Sequence, residues 1–167
     1  MGMICTLRRI SKAKLDEYLE NSHLMEEEFY SNEVTEIPLL DIDKSWDGII
    51  FLLTGATFNE ASENERALII IGEKPMNTSS DPDDYHTRYN SPEKVLHFAE
   101  ILKSIDPNDL KSKFDPKRMN ELDVYPNIWE QEDKNELFTY LEEYFLKIQN
   151  FYQQAAWSKE AIVIEIG

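Results

Sequence analysis

The chain has 167 residues, 41% of them hydrophobic, and its 17 lysines and arginines against 33 aspartates and glutamates give a net charge of −16 at pH 7. A chain of this length buries roughly 70% of its unfolded surface, so it can form a core without disulfides or metal ions. The charge argues against a nucleic-acid partner, because affinity for phosphate backbones comes largely from lysine and arginine. We therefore expect one acidic domain over residues 1–167.

Cysteine content and targeting patterns indicate a cytoplasmic protein. The single cysteine, Cys5, cannot form an intramolecular disulfide, and it lies in an apolar run that is typical of a buried strand. The longest apolar run, residues 49–53, is far shorter than the ~20 residues that a membrane span requires. The N-terminal residues do not resemble a secretion signal. We therefore predict a cytoplasmic location and no membrane partner.

The first half of the chain alternates between strand and helix patterns. Residues 3–10 are rich in β-branched and apolar side chains and predict a first strand, with a helix after it. Residues 43–55 predict a short buried helix that is capped by Asp43 and ends at Gly55. Residues 67–72 form a continuous apolar run of strand length, so we predict a strand in the middle of the sheet.

The second half is predicted to be mostly helical. Residues 73–90 show neither a helical nor a strand period, and we interpret them as a long loop. Three helix starts share one pattern, a capping side chain directly before a proline: Ser91-Pro92, Asp106-Pro107 and Asp115-Pro116. The longest amphipathic helix covers residues 137–155, and residues 161–166 predict a terminal strand. This order indicates one α/β or α+β domain, a small central sheet packed with helices.

Five segments carry a family resemblance over nearly the whole chain. They are MGMI at the start, LLDIDKSWDGIIFLLTG at 39–55, RYNSPEKV at 88–95, VYPNIW at 124–129 and the apolar terminal strand. In order and spacing they are similar to the YfbM-like family of uncharacterised bacterial proteins, a domain of unknown function. The resemblance implies a compact α/β domain of this length and no particular reaction. Many relatives have histidines where this chain has Asp47 and Ile50, so a site that needs both histidines cannot operate unchanged here.

Two aspartates, Asp41 and Asp43, follow an apolar stretch, as in phosphotransferases that use a nucleophilic carboxylate and magnesium. The preceding run contains Pro38, and the residues after Asp43 do not match that motif. We therefore interpret Asp43 as a helix cap and Asp41 as a solvent-facing residue. A small hydrolase or phosphotransferase that uses Asp43 and Asp47 remains the alternative function.

One segment places a histidine among carboxylates. His86 lies near Asp81, Asp83 and Asp84, and such side chains can bind a divalent cation. Their spacing matches neither an EF-hand nor a zinc signature. No histidine or cysteine has a recognisable catalytic partner, and there is no glycine-rich phosphate loop. The sequence therefore assigns no catalytic residue, no metal and no other cofactor.

An aromatic and charged group is the best candidate for a binding site. Its members are Lys44, Trp46, Asp47, Arg88, Tyr89, Tyr125 and Trp129. Aromatic rings with polar tips and a few charges are typical of ligand pockets. The structural alternative makes Trp46 and Trp129 core anchors, while Lys44 and Arg88 neutralise nearby carboxylates.

From this group we predict a binding domain whose cleft near Lys44, Trp46 and Arg88 takes a protein or small-molecule ligand. The strongly acidic surface would accelerate association with a basic partner and repel acidic competitors. A third hypothesis, a structural subunit of an assembly, requires an exposed apolar patch on the long C-terminal helix.

Overall fold

The computed structural model describes residues 2–31, 36–76 and 87–167, and these ranges contain five strands and nine helices. The strands are β1 (Cys5–Ile10), β2 (Leu39–Asp41), β3 (Lys74–Pro75), β4 (Thr87–Asn90) and β5 (Ala161–Ile166). The helices are α1 (Lys12–Glu20), α2 (Ser22–Tyr30), α3 (Trp46–Thr54), α4 (Phe58–Ala61), α5 (Leu68–Ile71), α6 (Pro92–Lys103), α7 (Pro107–Lys113), α8 (Pro116–Glu121) and α9 (Lys134–Trp157). Two 3-10 turns, Asp43–Ser45 and Glu65–Ala67, lead into α3 and α5.

The strands form one open sheet in the order β2-β1-β5-β4-β3, and every neighbouring pair is antiparallel. The fold is therefore α+β, one of the two classes left open by the sequence, and the predicted small central sheet packed with helices is confirmed. The central strand β5 pairs with β1 from Cys5 opposite Ile166 to Ile10 opposite Ala161. Its other edge pairs with β4.

Helices cover the two faces of this sheet unequally. On the major face, α3, α5, α6 and α9 enclose a large core, which we call the major core. On the minor face, α1 and α2 enclose a smaller cluster, the minor core. Because side chains alternate along a strand, Leu7 of β1 enters the major core and Ile10 enters the minor core.

The three predicted helix starts that precede proline are confirmed. In each, the side chain before the proline accepts a hydrogen bond from a backbone N–H in the first turn of α6, α7 or α8, as the cap pattern requires. The cap residues are Ser91, Asp106 and Asp115. The predicted long helix is also present as α9. Among the described residues, no helix has both the length and the apolar character needed to cross a membrane.

The strand predicted for residues 67–72 is wrong, because this run is helical and β5 lies at the centre of the sheet. Asn64 accepts a hydrogen bond from the N–H of Arg66 at 2.9 Å, which caps the 3-10 turn, and Gly72 ends α5 with φ 87°. The run is apolar because it is buried in the major core. Apolar periodicity alone does not distinguish such a short buried helix from a buried strand.

The loop predicted for residues 73–90 is wrong at its two ends, where β3 and β4 lie and pair with each other. The backbone N–H of Met76 donates to the carbonyl of Thr87 at 3.0 Å and extends this pairing. Residues 77–86, which include His86 and the aspartates considered as cation ligands, lie outside the described residues.

The N-cap predicted at Asp43 is wrong as well. Asp43 opens the 3-10 turn with φ 50°, a left-handed conformation that aspartate tolerates better than most residues. Its own N–H donates to Asp41 Oδ1 at 2.7 Å, and its Oδ2 accepts from the hydroxyl of Tyr140 at 2.9 Å. The helix α3 begins only at Trp46 and ends at Gly55 as predicted. Asp41 is exposed, as expected.

Candidate functional site

A cavity of about 700 Å³ opens on the major face, between the start of α3, the helix α4 and the segment that follows α8. The strands β4 and β5 form its floor, and most of the lining side chains are apolar or aromatic. The lining residues are Met3, Trp46, Asp47, Phe58, Asn59, Ser62, Ile71, Arg88, Asp123, Tyr125, Ile164 and Ile166. Four of the seven predicted site residues, Trp46, Asp47, Arg88 and Tyr125, therefore meet at this cavity.

One wall of the cavity is aromatic. The rings of Trp46 and Tyr125 stack with centroids 5.3 Å apart and an interplanar angle of 23°. Phe58 meets Trp46 edge-on at 5.6 Å, and the indole N–H donates to the carbonyl of Met3 at 3.2 Å. Such ring pairs contribute about 0.5–1.5 kcal/mol beyond the area they bury. The wall is therefore held in place by the protein itself, which is a requirement for a preorganised site.

Asp47 joins the elements around the cavity. It is only 3% exposed, and its Oδ1 and Oδ2 accept hydrogen bonds from the backbone N–H groups of Phe58 at 2.7 Å and Tyr125 at 2.8 Å. Since Phe58 is the first residue of α4, one carboxylate ties α3 both to α4 and to the segment after α8. Burial raises the pKa of the Asp47 carboxyl above its ordinary value, although the two backbone donors act in the opposite direction.

Arg88 is positioned by the chain that leaves α5. Its Nε donates to the carbonyl of Gly72 at 3.0 Å, and its Nη2 donates to the carbonyl of Glu73 at 3.1 Å. Gly72 has φ 87°, and a Cβ at this position would stand 2.7 Å from the Cβ of Arg88. A larger residue would therefore displace Arg88 from the cavity wall.

The other three predicted site residues do not line the cavity. Tyr89 follows Arg88 along β4, so its side chain points to the opposite face and lies in the minor core. Trp129 is 1% exposed in the major core, and its indole N–H donates to the carbonyl of Val124 at 2.6 Å. The end of the Lys44 side chain and the hydroxyl of Tyr125 both pack against Gly2, where an added Cβ would clash with the two side chains. The core-anchor alternative is therefore right for Trp129, and Trp46, which lines the cavity, is also anchored in the major core with 3% of its surface exposed.

The α4 side of the cavity, which includes Phe58, Asn59 and Ser62, was not among the predicted site residues. A local signal was present, because Thr57 followed by Glu60 three residues later matches the pattern that opens many helices. It would have located α4, but not its contact with Asp47, which joins residues that are 11 positions apart.

The two aspartates of the alternative enzymatic function are separated in the structure. Asp47 lines the cavity, whereas Asp43 does not and is bound by Tyr140 of α9. Within the described ranges, no group of three or more histidine, cysteine, aspartate or glutamate side chains is arranged to hold a metal ion.

Comparison with known proteins identifies a family without a known activity. Residues 1–165 match a domain of unknown function, DUF1877. The protein YfbM of Escherichia coli strain K12 is 29% identical over 140 residues, which cover 83% of this chain and 82% of YfbM. The crystal structure of E. coli YfbM has the same fold, with a TM-score of 0.77 and 24% identity over 98% of this chain and 99% of that chain. The resemblance found in the sequence is confirmed, and the chain belongs to the DUF1877 family of YfbM-like proteins of unknown function.

Proposed function

We propose that this protein is a binding domain that takes a small molecule into the cavity beside Trp46 and Tyr125. The observation that supports this function is the cavity itself, about 700 Å³ in volume and lined mainly by apolar and aromatic side chains. Small-molecule sites commonly enclose about 300–1,000 Å³ and combine such a lining with a few polar groups. Of the two ligand classes left open by the sequence, this shape favours a small molecule over a protein.

The lining indicates the chemistry of the ligand. The aromatic wall of Trp46 and Phe58 suits a flat or branched apolar body, while Asn59 and Ser62 at the rim can each donate and accept hydrogen bonds. Asp123 adds a carboxylate to the lining, while the Arg88 guanidinium already donates to the carbonyls of Gly72 and Glu73, and the whole chain carries a charge of −16. Because this field repels anions, the ligand we propose is neutral or cationic and amphipathic.

The lining favours binding without a reaction over the hydrolase or phosphotransferase alternative. Both carboxylate oxygens of Asp47 accept hydrogen bonds from backbone N–H groups, and Asp43 lies outside the cavity. Nucleophilic catalysis requires a nucleophile with a base within hydrogen-bond reach. No such pair occurs among the described residues that line the cavity.

A thermal-shift screen of amphipathic compounds, compared between wild type and Ser62→Trp, tests the proposal. Ser62 is exposed at the rim, so a tryptophan there obstructs the cavity without changing the core. A ligand at a hundredfold excess over its Kd stabilises the native state by about 2.7 kcal/mol, which raises the Tm by roughly 5–10 °C. We expect Ser62→Trp to abolish this rise.

The matched control is Ser112→Trp, which places the same side chain at an exposed position on α7, away from the cavity. We expect this variant to keep the full shift in Tm. A ligand-induced shift that persists in Ser62→Trp would locate binding elsewhere, and the absence of any shift across neutral and cationic compounds would refute a small-molecule site.

A further inference from the structure

The helix α9 carries an exposed stripe on the side that faces away from the core. Trp157 is 90% exposed and Leu146 is 45% exposed, and the exposed amides of Asn150 and Gln153 lie between them. The other two tryptophans of the chain are buried. A tryptophan exposed to this extent, in line with a second apolar side chain, is typical of a surface that contacts another molecule.

The spacing of the stripe is the same in both directions. Leu146, Asn150, Gln153 and Trp157 follow one another at steps of four, three and four residues, which keeps them on one side of an α-helix. Because the order of these steps reads identically from either end, the stripe matches itself when a second helix runs antiparallel. Trp157 then meets Leu146 of the other copy, and Gln153 meets Asn150.

The charge distribution also favours a second copy of this chain. Residues 148–158 contain no charged side chain, although 30% of all residues are charged and the net charge is −16. Two copies repel each other over most of their surfaces, and the repulsion is weakest at this side of α9, where the stripe is uncharged and the charged residues that border it, Arg9, Lys103 and Lys147, are cations, opposite in sign to the net charge. The amides of Asn150 and Gln153 have no hydrogen-bond partner in the part of the chain that the structure describes, and each can both donate and accept.

Open grooves border both ends of the stripe. One of about 290 Å³ lies at Trp157, the other of about 370 Å³ lies at Leu146, and Gln153 borders both. In the antiparallel arrangement, Trp157 of each copy reaches the groove beside Leu146 of the other copy. The contact is therefore made twice, as a two-fold axis requires.

We infer that α9 mediates a two-fold, antiparallel association of two copies of this chain, with Trp157 of each packed against Leu146 of the other. An interface centred on one helix is small, so the dimer is reversible and depends on protein concentration. The inference does not depend on the ligand proposed for the cavity, because none of the stripe residues lines it.

Sedimentation equilibrium of the full chain over micromolar concentrations tests the inference through paired charge variants. Asn150→Glu with Gln153→Glu places carboxylates opposite each other twice, and Asn150→Lys with Gln153→Lys does the same with ammonium groups. We expect each double variant to weaken dimerisation at least about tenfold. A one-to-one mixture of the two should restore it, because every glutamate then lies opposite a lysine.

The matched control is Asn108→Glu with Ser112→Glu, which adds the same charge at exposed positions four residues apart on α7 and should leave dimerisation unchanged. The fluorescence of wild type should shift to shorter wavelength as the protein is concentrated, and Trp157→Ala should lose both this shift and the dimer. A wild type that stays monomeric would overturn the inference. So would double variants that dimerise like wild type, or a mixture in which the dimer is not restored.

Discussion

On the major face, the sheet packs against helices through aliphatic and aromatic side chains that are almost completely buried, among them Phe98, Phe145 and Ile148. On the minor face, two nine-residue helices cover a small cluster, and charged side chains surround it. Arg8 pairs with Glu165 and lies 4.4 Å above the ring of Phe29. The two faces are therefore held by different forces.

The outer contacts of α1 and α2 are also polar. The hydroxyl of Tyr18 and the ammonium of Lys14 both donate to the carboxylate of Glu28, and the hydroxyl of Tyr30 donates to Glu165. Partly exposed ion pairs contribute little to stability compared with a packed core. The comparison indicates that α1 and α2 form the least stable unit of the fold and open at a lower free energy than the major core.

The largest effect is expected for Phe145→Ala, which empties a fully buried position of the major core. The free energy of unfolding should fall by about 3–5 kcal/mol, as measured by urea denaturation followed by circular dichroism. Phe29→Ala is the matched substitution in the minor core, where the side chain is less completely buried. An equal or larger loss in Phe29→Ala would contradict the difference between the faces.

A second substitution sharpens the comparison, because the major core also contains a polar network around Tyr152. The hydroxyl of Tyr152 donates to the carbonyl of Ile69 at 2.6 Å and accepts from Asn90 Nδ2 at 2.9 Å. Tyr152→Phe removes both bonds and should lower the free energy of unfolding by about 1–3 kcal/mol in the same assay. Tyr140→Phe, which removes a bond to the half-buried Asp43, should cost less. Equal losses would mean that burial of the network adds nothing.

A smaller effect is expected on the minor face for Arg8→Met, which removes the ion pair with Glu165 and keeps an apolar side chain. Both side chains are mostly buried, 13% and 15% exposed, so the loss should be about 1–2 kcal/mol and should shrink in high salt. Lys12→Met removes an exposed pair with Asp16 and serves as the control. If the two variants unfold at the same urea concentration, Arg8 does not hold the minor face.

The smallest effect is expected when the pH is lowered, and it concerns the local stability of α1 and α2. The hydrogen bond from Tyr18 is the main cause that lowers the pKa of Glu28 below its ordinary value of 4.5. A carboxyl with a lowered pKa stabilises the fold above its unfolded pKa, and this contribution is lost as the pH falls through its folded pKa. The protection of the amides in α1 and α2, measured relative to their intrinsic exchange rate at each pH, should therefore fall below pH 4.5, before the core opens.

Cys5 provides the reference for that experiment. It is fully buried in the major core, and burial raises the pKa of its thiol, so reagents should reach it only on global unfolding. We expect labelling of Cys5 with an acid-active disulfide reagent to begin at a lower pH than the loss of amide protection in α1 and α2. Both events at one pH would show that the two faces unfold as a single unit.

Local signals explain which parts of the fold were predictable. The capping side chains of Ser91, Asp106 and Asp115 are adjacent to the helices they start, so the sequence alone locates those helices. Asp43 matches the same residue preference, but Tyr140 of α9 binds its carboxylate and a 3-10 turn precedes α3. A contact between distant segments decides this case, and no local pattern contains it.

In the candidate site, too, the local motif was predictable from the sequence, whereas its contacts with distant segments were not. Trp46 and Asp47 belong to one motif, but only the fold brings them next to Arg88. Once β4 is recognised as a strand, Arg88 and Tyr89 must face opposite sides of the sheet, so the two cannot line one cavity. Because residues 73–90 were interpreted as a loop, this alternation of side chains could not be used to separate Arg88 from Tyr89.

The pairing of β1 with β5 at the centre of the sheet has a consequence for how the protein folds. Arg8 and Glu165, whose side chains pair across these two strands, are 157 positions apart in the sequence. Contacts between such distant segments slow folding, whereas contacts within helices and between neighbouring helices form quickly. The sheet is therefore completed late, and until then β1 and β4 each expose an unpaired edge, which is the surface that other chains recognise in aggregation. A protein that is mostly helical should thus fold more slowly than a helical bundle of the same length.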